Sequence, residues 1–552
     1  MQRPLAIGSD GITREAVTVF QPIEPIGLSE ARSAVSLRWS QSFVDFQERL
    51  SLQRDGFLPQ RSMRNQQSMS PQSVASRHQK RLQIEPKKTS RFASAHLVGI
   101  CGTGMKALAE LLSGMGWKVS GSDLKPPNRT VRALKRRGLR IHSGHHDQYL
   151  PKNVDVLVYS PAIGPTNPER QMATRLGIPQ MSFSGMLGHL MEDKVGISIA
   201  GTHGKSTTTA MTATILGDAR LYPSAVIGAQ LCGVGVNGWA GDGDFFVVES
   251  CEYKKNFLDL RPKHAAFLGI EPDHFDYFPN VDAIRVAFAE FAALLPSDGL
   301  LLVRGDCAHS VLAARSTDAT VITFSQQPGS QWWATDLKKT VLGTRFRVFH
   351  RGEFYAEFSL RIPGAHNVDN ALAAIVMADS LGVSVNAIRE SIEEFPGIRR
   401  RFELVGSWRG ITLVDDYAHH PTAVTATLKT AREKFGRRRI WCAFQPHQIS
   451  RALALMDEFS ESFSNVDRIL VAPVFAAREE PGGEEHEVAR ELAERISAKG
   501  SDAQFCPSLD RIIATLEDEA LPGDVLITMG AGDIDRVHHE FTRRLQRNHP
   551  HR

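Results

Sequence analysis

Several short segments of the chain combine residue types that do chemistry at spacings a strand–turn–helix junction can use. In Gly201-Thr202-His203-Gly204-Lys205-Ser206-Thr207, an apolar run gives way to glycines and then to Lys and Ser. Such a turn aims backbone N–H groups at an anion, and the ammonium and hydroxyl suit a triphosphate with its Mg2+. The general phosphate-loop spacing requires glycine where Ile199 stands, so this loop is a shortened variant. A second glycine turn, Gly99, Gly102 and Gly104, follows the apolar run HLVG, and Asp123 closes the next such run. Its spacing departs from the dinucleotide fingerprint, and NAD or FAD, another nucleotide, and a purely structural turn all stay open.

Acids and amides recur at similar junctions. Glu249 ends FFVVE, and Ile270-Glu271-Pro272-Asp273-His274 follows AAFLG. Carboxyl ends of parallel strands face the crevice where ligands bind, and Mg2+ beside a nucleotide takes one or two carboxylates. Capping acids and a hydrogen-bonded histidine are the plainer alternative. Asn367 and Asn370 share one helical face, where their amides suit an adenine edge or a helix cap. Arg399-Arg400-Arg401-Phe402-Glu403 reads as a solvated charge run or as a guanidinium site for phosphate. Asp415-Asp416-Tyr417-Ala418-His419-His420-Pro421 follows ITLV, Gln445 to Arg451 follow RIWCAF, and Gly530-Ala531-Gly532-Asp533 follow VLITM. Helix capping accounts for one polar residue of the first of these, not for five.

The elements that must hold these loops are legible as alternation. From Ala95 onward, apolar runs alternate with helical patterns almost to the C-terminus, which predicts α/β architecture with parallel sheets throughout. After Pro421, the positions Val424, Leu428, Ala431 and Phe435 mark one buried helical face. Boundaries are expected near 179–193 and 394–397, where Gly, Pro and polar residues interrupt the pattern. The expected division is a disordered tail over 1–94 and domains over 95–185, 186–394 and 395–552. The tail is rich in Ser, Gln and Arg and has fourteen basic against eight acidic residues, which leaves the remainder of a +4 chain slightly acidic. A functional basic arm is the alternative for that segment.

Composition excludes several classes. Hydrophobic residues at 42% and charged residues at 23% are ordinary for a globular chain. No apolar run reaches the roughly 18 residues of a membrane span, and the N-terminus lacks a signal-peptide pattern. The six cysteines are scattered without a CxxC pair, which fits a reducing compartment and argues against a zinc site or disulfide framework. Cytoplasmic location, no nucleic-acid or membrane partner, and a monomer or weak homodimer are therefore expected.

Taken together, GTHGKS, HNVDN, RRFE and DDYAHHP resemble the Mur ligase family, whose members build peptidoglycan precursors, and the resemblance runs from residue 95 to about 540. It implies an N-terminal Rossmann-like UDP-sugar domain, a central P-loop ATPase domain and a Rossmann-like C-terminal domain. It assigns Gly99, Gly102, Gly104 and Asp123 to the UDP-sugar instead of NAD. It gives ATP to the loop from Gly201 to Thr207, to Asn367 and Asn370, to Arg401 and to Asp415. Magnesium falls to Ser206, Glu249 and His274. Tyr417 and His419 are placed near the incoming amino acid, and Arg451 near its carboxylate. Lys205, His274, His419 and Arg451 become the catalytic set. FQPHQ, AAREEP and MGAGD together favour members that add L-alanine to UDP-N-acetylmuramate. Ligases that recycle murein tripeptides remain the alternative within the family. A dehydrogenase, or an ATP-binding protein without catalysis, stands further off. Three departures are visible: Lys254 and Lys255 where Asp and Ser are usual, Gly269 where Asn is usual, and Gln448 where some members have Arg.

Overall fold

The computed structural model describes residues 92–125, 127–340, 343–477, 479 and 482–548. The expected tail lies outside the described residues up to position 91, as do positions 478, 480 and 481 of AAREEP. The first described strand begins at Ser94.

Three sheets follow in order. The first has five strands, all parallel, in the spatial order Arg140–Ser143, Lys118–Asp123, Ser94–Val98, Val156–Tyr159, Gln180–Ser182. The second has ten strands and is built around Val195–Ala200, which pairs in parallel with Phe245–Glu249 on one side and His264–Phe267 on the other. VGISIA is buried along almost its whole length, as expected of a strand covered on both faces. The third has six strands, and Ile411–Asp416, Val525–Met529, Ile440–Phe444, Arg468–Val471 and Ala503–Phe505 run parallel.

The expectation of parallel pairing throughout needs one correction. Trp332–Thr340, Gly343–His350 and Glu353–Leu360 form an antiparallel meander at one edge of the second sheet. The physical reason is short connection: the two residues between successive strands cannot carry a crossover helix, which needs about a dozen or more. In Gly343–His350, Thr344, Phe346 and Val348 are buried while Arg345 is exposed, the alternation of a sheet covered on one face. Short antiparallel pairs also occur at Gly238–Trp239 and at Glu403–Trp408.

The first two sheets are keyed together by close backbone approach. Helix Thr103–Gly114, which carries the first glycine turn at its head, lies against Gly238, where a Cβ would overlap the Ala107 carbonyl oxygen. Beside this contact the buried Lys106 ammonium donates to Glu110 Oε1 (2.8 Å) and Asn237 Oδ1 (2.9 Å), and Asn237 Nδ2 returns a bond to Thr103 O (3.1 Å). Helix Phe183–Met191 spans the boundary expected at 185. Ser182 and Ser184 donate to Asp259 Oδ2, and Gly188 admits the Asp259 backbone where no Cβ would fit.

Gly238→Ala should therefore destabilise the protein by about 1–3 kcal/mol, because the obstructing atom is backbone and cannot swing aside. Thermal unfolding checks this against Gly217→Ala, a helical glycine with open space around its Cβ position, which should leave the melting temperature equal or raised.

Candidate functional site

The phosphate loop is shaped by two glycines in conformations closed to other residues, Gly201 (φ 140°) and Gly204 (φ 81°). A Cβ on Gly204 would overlap Asn370 Oδ1, so Asn370 props the loop from below. Helix Lys205–Asp218 starts at once, which leaves its first N–H groups, with buried Ser206 and Thr207, at the carboxyl edge of the sheet. Lys205 Nζ donates to Thr202 O (3.2 Å) and Glu252 Oε1 (3.0 Å). Burial opposes its charge, yet the carboxylates of Glu252 and Glu249 hold its pKa above the ordinary value.

In the sequence Glu252 stands only as an alternative to Glu249 for the metal, and the structure brings it to the phosphate loop. It is 2% exposed, its Oε1 lies 3.0 Å from Lys205 and 3.4 Å from His274 Nε2, and its Oε2 has no hydrogen-bond partner. Burial works against this carboxylate, and Lys205 and His274 keep its pKa below the usual range. Glu249, at the end of its strand, accepts from Gly228 N (2.5 Å). The two unusual lysines turn elsewhere. Both adopt left-handed backbone (φ 52° and 56°), Lys255 pairs with Glu290 at 2.7 Å, and the Lys254 ammonium lies 5.5 Å from the Tyr253 ring centre.

Helix Ala365–Ser380 brings Asn367 and Asn370 under the loop. Their amides meet: Asn370 Nδ2 donates to Asn367 Oδ1 (3.1 Å), and Asn367 Nδ2 donates to Pro363 O (2.7 Å). Together with His203, Ser206, Arg401 and Asp416 they line a cavity of about 130 Å³. Ligand pockets usually measure about 300–1,000 Å³, so a nucleotide enters only as this cleft widens.

The C-terminal sheet supplies the opposite wall. Asp415 accepts from Arg400 Nε (3.1 Å) and Thr528 Oγ1 (2.8 Å), and Thr528 in turn meets His538 Nε2 at 2.5 Å. Burial pushes the Asp415 carboxyl up to about 6 against the pull of Arg400. Arg400 also donates to Gly530 O and Gly532 O, whereas Arg401 faces the cleft with its guanidinium 5.2 Å from the Tyr417 ring centre. Adjacent arginines thus divide the work, Arg400 anchoring the loops and Arg401 lining the cavity.

Tyr417, His419 and Arg451 come together at the far end. His419 Nδ1 lies 2.9 Å from Tyr417 O, its ring centre lies 5.7 Å from that of His447, and burial beside Arg451 holds its pKa well below 6.5. Arg451 is 2% exposed and donates through Nε and an η nitrogen to Asp273 Oδ1, both at 2.8 Å. Burial works against the Asp273 charge, but Arg451 holds its carboxyl far below the usual range. In the first domain Gly99 (φ 82°) turns the chain, Gly104 abuts Phe183, and Gly102 donates to Gly99 O. Asp123 Oδ2 accepts from Cys101 N (2.9 Å). Glu169, unnoticed in the sequence, is buried under this end and receives His96, Ser122 and His145.

Family models match three consecutive stretches: Mur ligase family, catalytic domain, over residues 94–195; Mur ligase middle domain, over 199–378; and Mur ligase, glutamate ligase domain, over 400–532. The chain is 38% identical over 460 residues to UDP-N-acetylmuramate–L-alanine ligase of Acetivibrio thermocellus, covering 83% of this chain and 97% of that one. With the enzyme of the same name from Clostridium novyi the identity is 40% over 450 residues, 81% of this chain and 96% of the relative. Among solved structures, UDP-N-acetylmuramate-alanine ligase from Thermotoga maritima matches with a TM-score of 0.69 and 27% identity over 83% of this chain and 100% of that one. A murein peptide ligase from Psychrobacter arcticus matches with a TM-score of 0.62 and 27% identity, over 82% and 98%.

The buried His538 makes a checkable contribution to acid stability. Burial lowers its pKa from 6.5 to about 4 in the folded protein, so the unfolded chain binds more protons between those values. Its stabilisation is complete above pH 6.5 and is lost as pH falls toward 4. His538→Gln should flatten the fall in melting temperature across that window relative to the parent; an unchanged slope would exclude His538 as its source.

Proposed function

The chain belongs to the Mur ligase family, and we propose that it joins L-alanine to the carboxylate of UDP-N-acetylmuramate at the expense of ATP, in peptidoglycan precursor synthesis. The observation that carries this reading is one cleft walled by the phosphate loop on one side and by Arg401 and Asp416 of the C-terminal unit on the other. A ligase must hold two substrates and a nucleotide in register, which a simple ATPase need not do.

A carboxylate does not condense with an amine in water, and phosphorylation by ATP converts it to an acyl phosphate that does. Lys205 sits where its ammonium offsets charge on the phosphoryl group in transfer. Magnesium fits the donor chemistry: Ser206 is buried at the head of the helix, Glu252 Oε1 lies 3.0 Å from Lys205 and 3.4 Å from His274, and the charge of Glu249 is felt at Lys205. Ser206, Glu249, Glu252 and His274 would hold it, and it would supply further charge neutralisation. At the amine end, His419 is neutral through burial, and its Nδ1 bond to Tyr417 O leaves Nε2 to accept a hydrogen bond from the incoming amino group. Arg451 orients the alanine carboxylate once Asp273 gives way. The site works in the cytoplasm, where ATP is present and the six cysteines remain thiols.

ADP release should require both UDP-N-acetylmuramate and L-alanine, with glycine and L-serine poorer acceptors. Use of L-alanine–D-glutamate–diamino-acid tripeptide in place of free alanine would identify a recycling ligase, and ADP release without either acceptor would exclude ligation. Glu252→Gln and Glu249→Gln should each raise the Mg2+ concentration for half-maximal rate. A shift confined to Glu249→Gln would remove Glu252 from the metal site.

A further inference from the structure

At the rim of the cleft, three side chains that the ligase chemistry above does not use as a set converge from two units of the fold. His203 comes from the phosphate loop, Glu271 from the loop after strand His264–Phe267, and His420 from the loop that caps helix Pro421–Phe435. Their donor atoms all lie within 4.8 Å of one another. His203 Nε2 is 3.4 Å and His420 Nδ1 is 3.9 Å from Glu271 Oε2. We propose that His203, Glu271 and His420 form a binding site for a borderline divalent transition ion such as Zn2+ or Co2+, distinct from the magnesium of the phosphate loop.

Donor chemistry selects the ion. Two imidazoles and one carboxylate suit zinc, cobalt or nickel, whereas magnesium demands an octahedron of oxygens. Tetrahedral zinc with bonds of 2.0–2.2 Å places its donors about 3.4 Å apart, so the observed spacings need only small side-chain rotations to close. His203 Nε2 is buried against Glu271 Oε2 at 3.4 Å, long for a hydrogen bond, and a shared metal would replace this contact with two short bonds.

The outer contacts are those of a ligand set. His420 Nε2 lies 3.1 Å from Pro272 O, and a proton donated there leaves the Nδ1 lone pair facing Glu271, with only a 3.4 Å contact from Thr422 N against it. Thr422 Oγ1 donates to Glu271 Oε2 (2.7 Å), which orients the carboxylate. Burial lowers the His420 pKa to about 4, so the imidazole is neutral and able to ligate at physiological pH. His203 and Glu271 also line the nucleotide cavity, and three protein ligands leave a fourth position for water or a phosphate oxygen. An ion here ties the phosphate loop to the C-terminal unit and holds the cleft closed.

Titrating the full chain with Co2+ in excess Mg2+ tests this without reference to catalysis. The expected result is one Co2+ per chain with the visible absorption of low-coordinate cobalt. Affinity should fall tenfold or more in both His420→Asn, which keeps a helix-capping side chain, and Glu271→Gln, which keeps the acceptor for Thr422. Circular dichroism verifies that both variants fold. Absence of the cobalt bands in the parent, or parental affinity in both folded variants, overturns the proposal in favour of a hydrogen-bonded contact between the two units.

Discussion

Arg451 lies in the C-terminal unit and Asp273 in the central one, and both are almost wholly removed from water. A buried pair of this kind cannot be parted unless each charge meets a new partner; stranding one costs about 3–5 kcal/mol. The cleft must widen to admit nucleotide, so opening and re-pairing are coupled. Asp273 also has His274 beside it, with Nε2 3.9 Å from its Oδ2. The single contact of Arg451 with Asp273 ties the loop after strand His264–Phe267 to the C-terminal unit.

Much of the site was legible because its signal lies in spacing along one strand–turn–helix unit. Gly201 to Thr207, the pair Asn367 and Asn370, and Asp415 to Pro421 each belong to one local element, and chain order alone places their side chains. What escaped depends on direction. His274, Arg400 and Phe402 adopt left-handed backbone at 56°, 58° and 47°, unflagged by glycine, and this rotation decides which of two neighbouring arginines meets Asp415. Glu252 and Glu249 are three residues apart, but only the turn after the strand shows which one reaches Lys205 and His274. Contacts such as Arg451 with Asp273, or Thr528 with Asp415, join residues more than a hundred positions apart and leave no periodic trace. The meander after Ser325 was hidden for another reason. Its alternation was present in TRFRVF, but the surrounding parallel units drew attention to crossovers.

The polar residues that support the site without touching its cavity form a second pattern. Glu169 beneath the first loop and Thr528 with His538 beneath Asp415 are both buried networks with several members. Each fixes the orientation of a loop by satisfying buried charge or hydroxyl, and such networks stabilise only when complete. Asp415 is consequently fixed in one direction by Arg400 and Thr528.

The tight seat of helix Thr103–Gly114 on Gly238 bears on kinetics as well as on stability. With no room for a single methyl between them, the unit bearing the first glycine turn and the unit bearing the phosphate loop turn as one body. Relative motion that widens the cleft is then left to the C-terminal unit, which carries Arg401 and Asp416 on the facing wall.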